Sequence, residues 1–388
     1  MGLLSTKRVA SVLAAGAAVA ALGTGVASAS TYTNLVGEGA SLQNLAQNSI
    51  WGPAYSTLSG GRTLTYTGNS SGAALASIGA NATGVTPTHL EVYGSDDPPT
   101  ATQVSNIRSN AGGVTGVEVI PVAQAAVAVI ANLPTGCTGT GPLNASSAQV
   151  GRAFNSGASA SDVFGTAVSG ASCTTVLTPI ARSTTSGTTL NFKNYIAQRG
   201  YGGAVDAFAT TWTGVVRPLA SSGGNLVSLV NTTKGSIGYA NLADAISGGL
   251  TTTSTTAGFI ANVDTIAAQT RSGTRLRSNC NGAIYRRTPT TTANADWNGV
   301  FPDLSNVSYS GYPICALTYV LGYSDAYTSL PRRSDGTAFT AAEGLSVAAY
   351  YQYITDSLSG QLDINAQNYA ALPGAIQTIA ATGAARIN

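Results

Sequence analysis

Residues 120–133, Ile-Pro-Val-Ala-Gln-Ala-Ala-Val-Ala-Val-Ile-Ala-Asn-Leu, constrain this chain most. They form the longest apolar run beyond the N-terminal segment, and their β-branched members mark a buried strand, or two strands with a bend. Strands that read as continuous apolar runs belong to sheets covered by helices on both faces. Such a strand is also a natural crossover between domains. An α/β class follows.

Three junctions share one pattern of short strand, small polar turn and helix start. The first runs from residues 32–36 into Gly37-Glu38-Gly39-Ala40-Ser41, then into a helix whose buried stripe is Leu42, Leu45, Ile50 and Trp51, with Ser41 as the natural N-cap. The second runs from residues 64–67 through Gly68-Asn69-Ser70-Ser71-Gly72 into a small-residue helix over 73–80. The third runs from residues 176–180 through Arg182 and a Ser/Thr/Gly turn ending in Ser186, Gly187 and Thr188, after which Leu190, Tyr195 and Ile196 follow helical spacing. Each junction points unpaired backbone N–H groups and the positive end of a helix dipole at one spot, and Arg182 adds a bidentate fork. Taken alone, each is an ordinary capped helix; three in one chain point to a shared anion site. The turn Ser95-Asp96-Asp97-Pro98-Pro99 follows another strand, and on local grounds its Asp residues are turn caps.

Residues 1–29 read as a secretory signal: Lys7 and Arg8, an Ala/Val/Leu-rich stretch, then Ala27-Ser28-Ala29. Cleavage leaves about 360 residues, enough for two or three domains. No later run is apolar and long enough to span a bilayer, and no cysteine follows the cleavage site as a lipid anchor. A secreted or cell-envelope protein is expected. Without Lys7 and Arg8, basic and acidic residues balance at 16 each, which argues against nucleic-acid binding. Hydrophobic residues at 44% suffice for real cores.

Cys137, Cys173, Cys280 and Cys315 in an exported chain imply two disulfides. Three connectivities exist. Cys137–Cys173 with Cys280–Cys315 is favoured because each pair lies within one region of sequence. No C-x-x-C spacing occurs and His89 is the one histidine, so no metal site is expected.

At this level of detail the chain resembles the periplasmic phosphate-binding proteins that feed ATP-driven phosphate importers. Gly37 to Leu42 resembles the family's G-A-G-A-[ST]-F opening, Gly68 to Gly72 its G-x-S-S-G turn, and Gly94 to Pro98 its A-S-D-x-P. Arg182 to Thr188 resembles R-x-D-G-S-G-T, Gly235 to Tyr239 resembles G-[SA]-I-G-Y, Tyr312-Pro313-Ile314 the [WY]-P-I segment, and Tyr369 to Pro373 the Y-x-x-L-P before the last helix. Seven pieces occur in family order. The chain departs from the pattern at Thr184, which stands where the family has an acid, at Thr185, at Leu42 and Gln43, and at Glu38, an extra carboxylate that would oppose an anion if it pointed inward.

The resemblance implies a type II periplasmic-binding-protein-like fold: two α/β lobes, mixed sheets flanked by helices, and a ligand cleft between them. Lobe I would comprise 30–125 plus 290–388, and lobe II 126–289. The implied ligand contacts are Ser41, Leu42, Ser70 and Asp96 from one lobe and Arg182, Ser186, Gly187 and Thr188 from the other. Asp96 would accept a proton-bearing oxygen, which phosphate has near neutral pH and sulfate lacks. A monomeric solute-binding protein for phosphate or a related oxyanion is expected, working with an ABC transporter permease and needing no cofactor. A surface or interaction protein that keeps the fold but has lost or changed its ligand is the alternative. A phosphoester hydrolase finds no Ser-His-Asp arrangement around His89.

Overall fold

Three short parallel strands, β1 (Leu35–Gly39), β2 (Leu64–Gly68) and β3 (Val92–Ser95), precede one long strand, β4 (Val117–Asn132). The computed structural model describes residues 32–88, 90–140, 142–199, 209–212, 216–252, 257–263, 280–293, 297–306, 312–332, 334–364 and 368–387. The expected export signal and His89 lie outside these residues. All sixteen positions of β4 are buried, as its apolar reading predicts. Val127, Val129 and Ile130 have no exposed surface, and each contributes on the order of 2 kcal/mol by leaving water.

Six further strands matter here: β5 (Thr178–Arg182), β6 (Arg217–Ala220), β7 (Ser236–Asn241), β8 (Phe259–Val263), β9 (Cys315–Tyr323) and β10 (Tyr369–Ala370). The sheet runs β2-β1-β3-β9-β4-β7-β5-β6, with β8 and β10 also pairing to β4. β4 changes partners along its length. Residues Val117 to Ala126 pair antiparallel with β9, whereas Val127 to Asn132 pair antiparallel with β7. The register slips opposite Pro121, between Thr318 and Tyr319. A proline has no N–H for the ladder, and a bulge is how an interior strand absorbs one.

Of the three polar side chains along β4, Gln124 and Glu118 are satisfied, whereas Asn132 Oδ1 is buried without a partner. Gln124 donates to the Ala371 carbonyl at 2.6 Å and accepts from Tyr285 at 2.8 Å. Glu118 accepts a two-pronged bond from Arg386, at 2.9 and 2.7 Å. Both expected disulfides are present, Cys137–Cys173 and Cys280–Cys315.

The helices that matter for the site are α1 (Ser71–Ser77), α2 (Gly187–Gln198), α3 (Gly223–Thr232) and α4 (Leu242–Ser247); α5 (Ala341–Thr355) and α6 (Gly374–Ala384) close the chain. Leu219 lies in β6. Pro218 beside it cannot donate in a helix interior, and an edge strand tolerates it. Among the described residues, no helix is long and apolar enough to cross a membrane.

Candidate functional site

β1, β2 and β3 run parallel to one another, as do β5, β6 and β7. In parallel α/β sheets, ligands sit beyond the carboxyl ends of the strands, where loops turn into helices. The loops after these six strands carry Ser41, Ser70, Asp96, Arg182 to Thr188, Ser221 to Gly223, and Asn241 to Asp244. Four of the helix starts are capped by side chains: Ser70 accepts from Ala73 N–H, Ser186 from Thr189, Ser222 from Asn225 and Asn241 from Ala243. A serine that caps through its oxygen keeps its own O–H free to donate.

Arg182 ends β5 and is 3% exposed, which makes it a buried cation. One terminal nitrogen donates to Ser41 Oγ at 2.9 Å and, at 3.5 Å, to Ser186 Oγ. The other donates to the carbonyls of Asn69 (2.8 Å) and Ser221 (3.0 Å) and to Thr184 Oγ1 (3.0 Å). The guanidinium therefore ties together the loops after β1, β2, β5 and β6. Its Nε is buried without a hydrogen-bond partner.

Asp96 faces this cluster from the loop after β3. Its N–H donates to Ser71 Oγ at 3.0 Å, and its Oδ1 accepts from Thr318 at 2.6 Å. Thr318 in turn accepts from Gln43 at 2.6 Å, and Gln43 accepts from Gln47 at 2.8 Å. Burial pushes Asp96 up to about 7; the hydroxyls of Thr318 and Thr188 and the nearby Arg182 pull the other way. The start of α2 presses directly on this residue. A Cβ added to Gly187 would lie 2.4 Å from the Cβ of Asp96, so only glycine permits that approach.

Behind α2 an aromatic block holds the helix in place. Phe192 stacks on Tyr239 with centroids 4.4 Å apart, and Tyr239 shares a hydrogen bond with Thr189 at 2.6 Å. Trp212 donates to the same Tyr239 oxygen at 2.7 Å.

Of the residues singled out in the sequence, Ser41, Asp96, Arg182, Ser186, Gly187 and Thr188 meet in one buried cluster. Leu42 is buried there too, its carbonyl accepting from Asn241 (2.9 Å) and Tyr369 (2.6 Å). Ser70 is only half-buried. It lines, with Thr184, a neighbouring cleft of about 1180 Å³ whose walls include Asp97, Gln103, Asn106 and Asn298.

Ser41 does not cap its helix. Ala40 holds the cap position without a side-chain bond, and Ser41 opens the helical run. Its oxygen is claimed instead by Arg182 and, at 3.3 Å, by the Gly223 N–H. A charge-assisted partner outcompetes a local amide. Glu38 is bound by Asn69 Nδ2 at 3.2 Å and by the Ser77 hydroxyl, at the far end of α1 from its capped start.

Sequence reading missed Ser71, Gln43, Thr318, Gly223 and Asp244. Ser221-Ser222-Gly223-Gly224 repeats the same small polar turn before a helix, so Gly223 had a usable signal. Asp244 reads as an ordinary acid in a first helical turn. Gln43 and Thr318 carry no local signal. Among the described residues, no three His, Cys, Asp or Glu side chains gather to hold a metal.

A family profile described as a PBP superfamily domain matches residues 24–295. The chain belongs to the PBP superfamily. Solved structures of the same two-lobed fold cover most of it. The ancestral soluble variant of the human phosphate-binding protein is 20% identical with a TM-score of 0.67, covering 89% of this chain and 92% of its own. PfluDING, a high-affinity periplasmic phosphate-binding protein solved with phosphate, is 18% identical with a TM-score of 0.65 and the same coverage. A phosphate-binding protein from Stenotrophomonas maltophilia is 19% identical with a TM-score of 0.62, covering 90% of this chain and 93% of its own. Among curated proteins, no sequence matches significantly.

Proposed function

We propose that this PBP-superfamily protein is an exported solute-binding protein that closes two lobes, 30–125 plus 290–388 and 126–289, on phosphate or a closely related oxyanion for ABC-type uptake. The observation that carries this reading is the buried guanidinium of Arg182, ringed by Ser41, Ser186 and Thr184 and faced by Asp96. Hydroxyls, helix-start N–H groups and one arginine donate to an oxyanion, and Asp96 accepts from the ligand's own proton. Sulfate has no proton to give, and an unpaired acceptor buried against it costs about 1–3 kcal/mol. The likeness to PfluDING, which was solved bound with phosphate, supports the same ligand class.

Isothermal titration of the purified protein with phosphate and with sulfate tests this. Phosphate heat without sulfate heat is expected. A protein that has been stripped of bound anion by dialysis and still gives no heat with phosphate overturns it.

One observation favours a second reading, a protein that keeps the fold but has changed its ligand. Both terminal nitrogens of Arg182 already donate to protein oxygens. In that reading Arg182 is a structural tie, and Arg182→Ala lowers stability while no anion competes.

A further inference from the structure

A second carboxylate borders the cluster. Asp244 lies in the first turn of α4 and is nine-tenths buried, and its Oδ2 is a buried acceptor with no hydrogen-bond partner. A Cβ added to Gly223 would sit 2.4 Å from this oxygen and 3.4 Å from Ser41 Oγ. Asp244 Oδ2, the start of the ten-residue helix α3 and the serine that Arg182 holds therefore border one point in space. The Nε of Arg182 is likewise buried and unpartnered. An orphaned N–H donor and an orphaned carboxylate acceptor around one cluster call for a ligand that accepts at one oxygen and donates from another.

The charged groups around Asp244 sharpen the demand. Arg182 approaches from β5, Asp96 from the loop after β3, and Tyr369 from β10. The elements packed against α4 add little. α3 has no ionisable residue, β4 has only Glu118, which Arg386 holds, and the Tyr239 hydroxyl on β7, pushed up to about 12 chiefly by burial, stays neutral. One guanidinium thus faces two carboxylates. A doubly charged anion brought in beside two ionised acids would be repelled strongly in so dry a place.

Resting on the oxyanion reading of the site, we infer that Asp244 is a second proton-sharing acceptor for the ligand, so that the site holds its oxyanion with two shared protons, one at Asp96 and one at Asp244, and thus selects the dihydrogen form of phosphate. Burial raises both carboxylates to about 7, with Arg182 opposing the rise in each, which agrees with two protons being kept there. No bond to phosphorus changes. Each shared proton comes from a P–OH or from the carboxyl and lies between the two oxygens.

The test is proton-linked calorimetry with inorganic phosphate, using buffers of different ionisation enthalpy. Above about pH 8 the free ligand carries one proton and both acids are ionised, so a complex holding two must take up about one more from solution. Affinity then falls about tenfold per pH unit. Asp244→Asn, which keeps the shape and loses the charge, should bind with no net uptake and a flat profile over the same range. Equal uptake and slope in the two proteins overturns the inference. Should the variant fail to fold, the intact protein decides alone, because zero uptake above about pH 8 is incompatible with two shared protons. No phosphate heat from the intact protein at about pH 6, where both acids are largely protonated, removes the oxyanion reading itself, and the inference with it.

Discussion

The guanidinium of Arg182 donates to the hydroxyl of Ser41, 141 positions earlier in the chain, across 2.9 Å. That single bond joins the loop after the first strand to the loop after β5, and both lie at the carboxyl ends of parallel strands. The cluster around it contains one cation, two carboxylates and several hydroxyls, nearly all out of water. Its behaviour should therefore respond sharply to single changes.

Arg182→Ala should weaken phosphate binding by at least about 2 kcal/mol, roughly thirtyfold, because charge-assisted bonds to the anion vanish. Arg182→Lys should rescue little, since an ammonium cannot present the same fork. Calorimetry of both variants beside the intact protein is the measurement. An unchanged dissociation constant in Arg182→Ala would exclude the residue from the binding site.

Two glycines one helix apart should answer differently to the same substitution. Gly187→Ala drives a methyl to 2.4 Å from Asp96 Cβ, and overpacking of this kind costs about 1–3 kcal/mol. Phosphate affinity should fall with it. Gly224, in the first turn of α3, has no neighbour within 4 Å of an added Cβ, so Gly224→Ala should be neutral or stabilise by up to about 1 kcal/mol. Thermal melts and titrations of the pair decide the point.

Stability in phosphate-free buffer should fall as pH rises from about 4 to about 7. Burial lifts Asp96 and Asp244 to about 7, and Asp97 to about 6, far above an unfolded carboxylate. The folded state then holds protons that the unfolded chain has released, so each rise in pH across that window favours unfolding, and the effect levels off above it. Asp162, whose carboxylate Ser159 holds low, works in the opposite sense only below the window. Denaturant melts should give at least about 1 kcal/mol more stability at pH 5 than at pH 8, with a smaller difference in Asp96→Asn. A protein more stable at pH 8 would mean that these acids are ionised in the fold.

Removing either disulfide should lower stability by about 2–4 kcal/mol and leave phosphate affinity intact. Cys137–Cys173 and Cys280–Cys315 close loops of similar span, 36 and 35 positions, and none of these cysteines is a partner of Arg182 or Asp96. Urea melts of Cys137→Ala/Cys173→Ala, with calorimetry alongside, separate the two effects.

Much of the site was legible because its parts are local. A Ser/Gly turn between an apolar strand and a helix start can be recognised within about ten residues, and Ser70, Ser186 and Gly187 were found that way. The buried strand was equally plain, since its sixteen positions lack the polar alternation of a half-exposed one. Ser41 was seen but given the wrong local role, as a cap, because its true partners lie 141 and 182 positions away. Gln43 looked like a departure from a family pattern, yet it is the donor that orients Thr318 toward Asp96.

The α/β class, the long buried strand, the helix-start turns and the arginine among them could be read from residue order alone, since these depend on periodicity and neighbouring residue types. That Thr318 and Asp244 join them, and that Asp96 and Asp244 border one buried cluster within reach of the Arg182 charge, emerges from long-range packing. Solvent exclusion is the reason. Whether an acid is a surface cap or a proton-holding acceptor depends on what the rest of the chain packs around it, and no window of neighbouring residues carries that information.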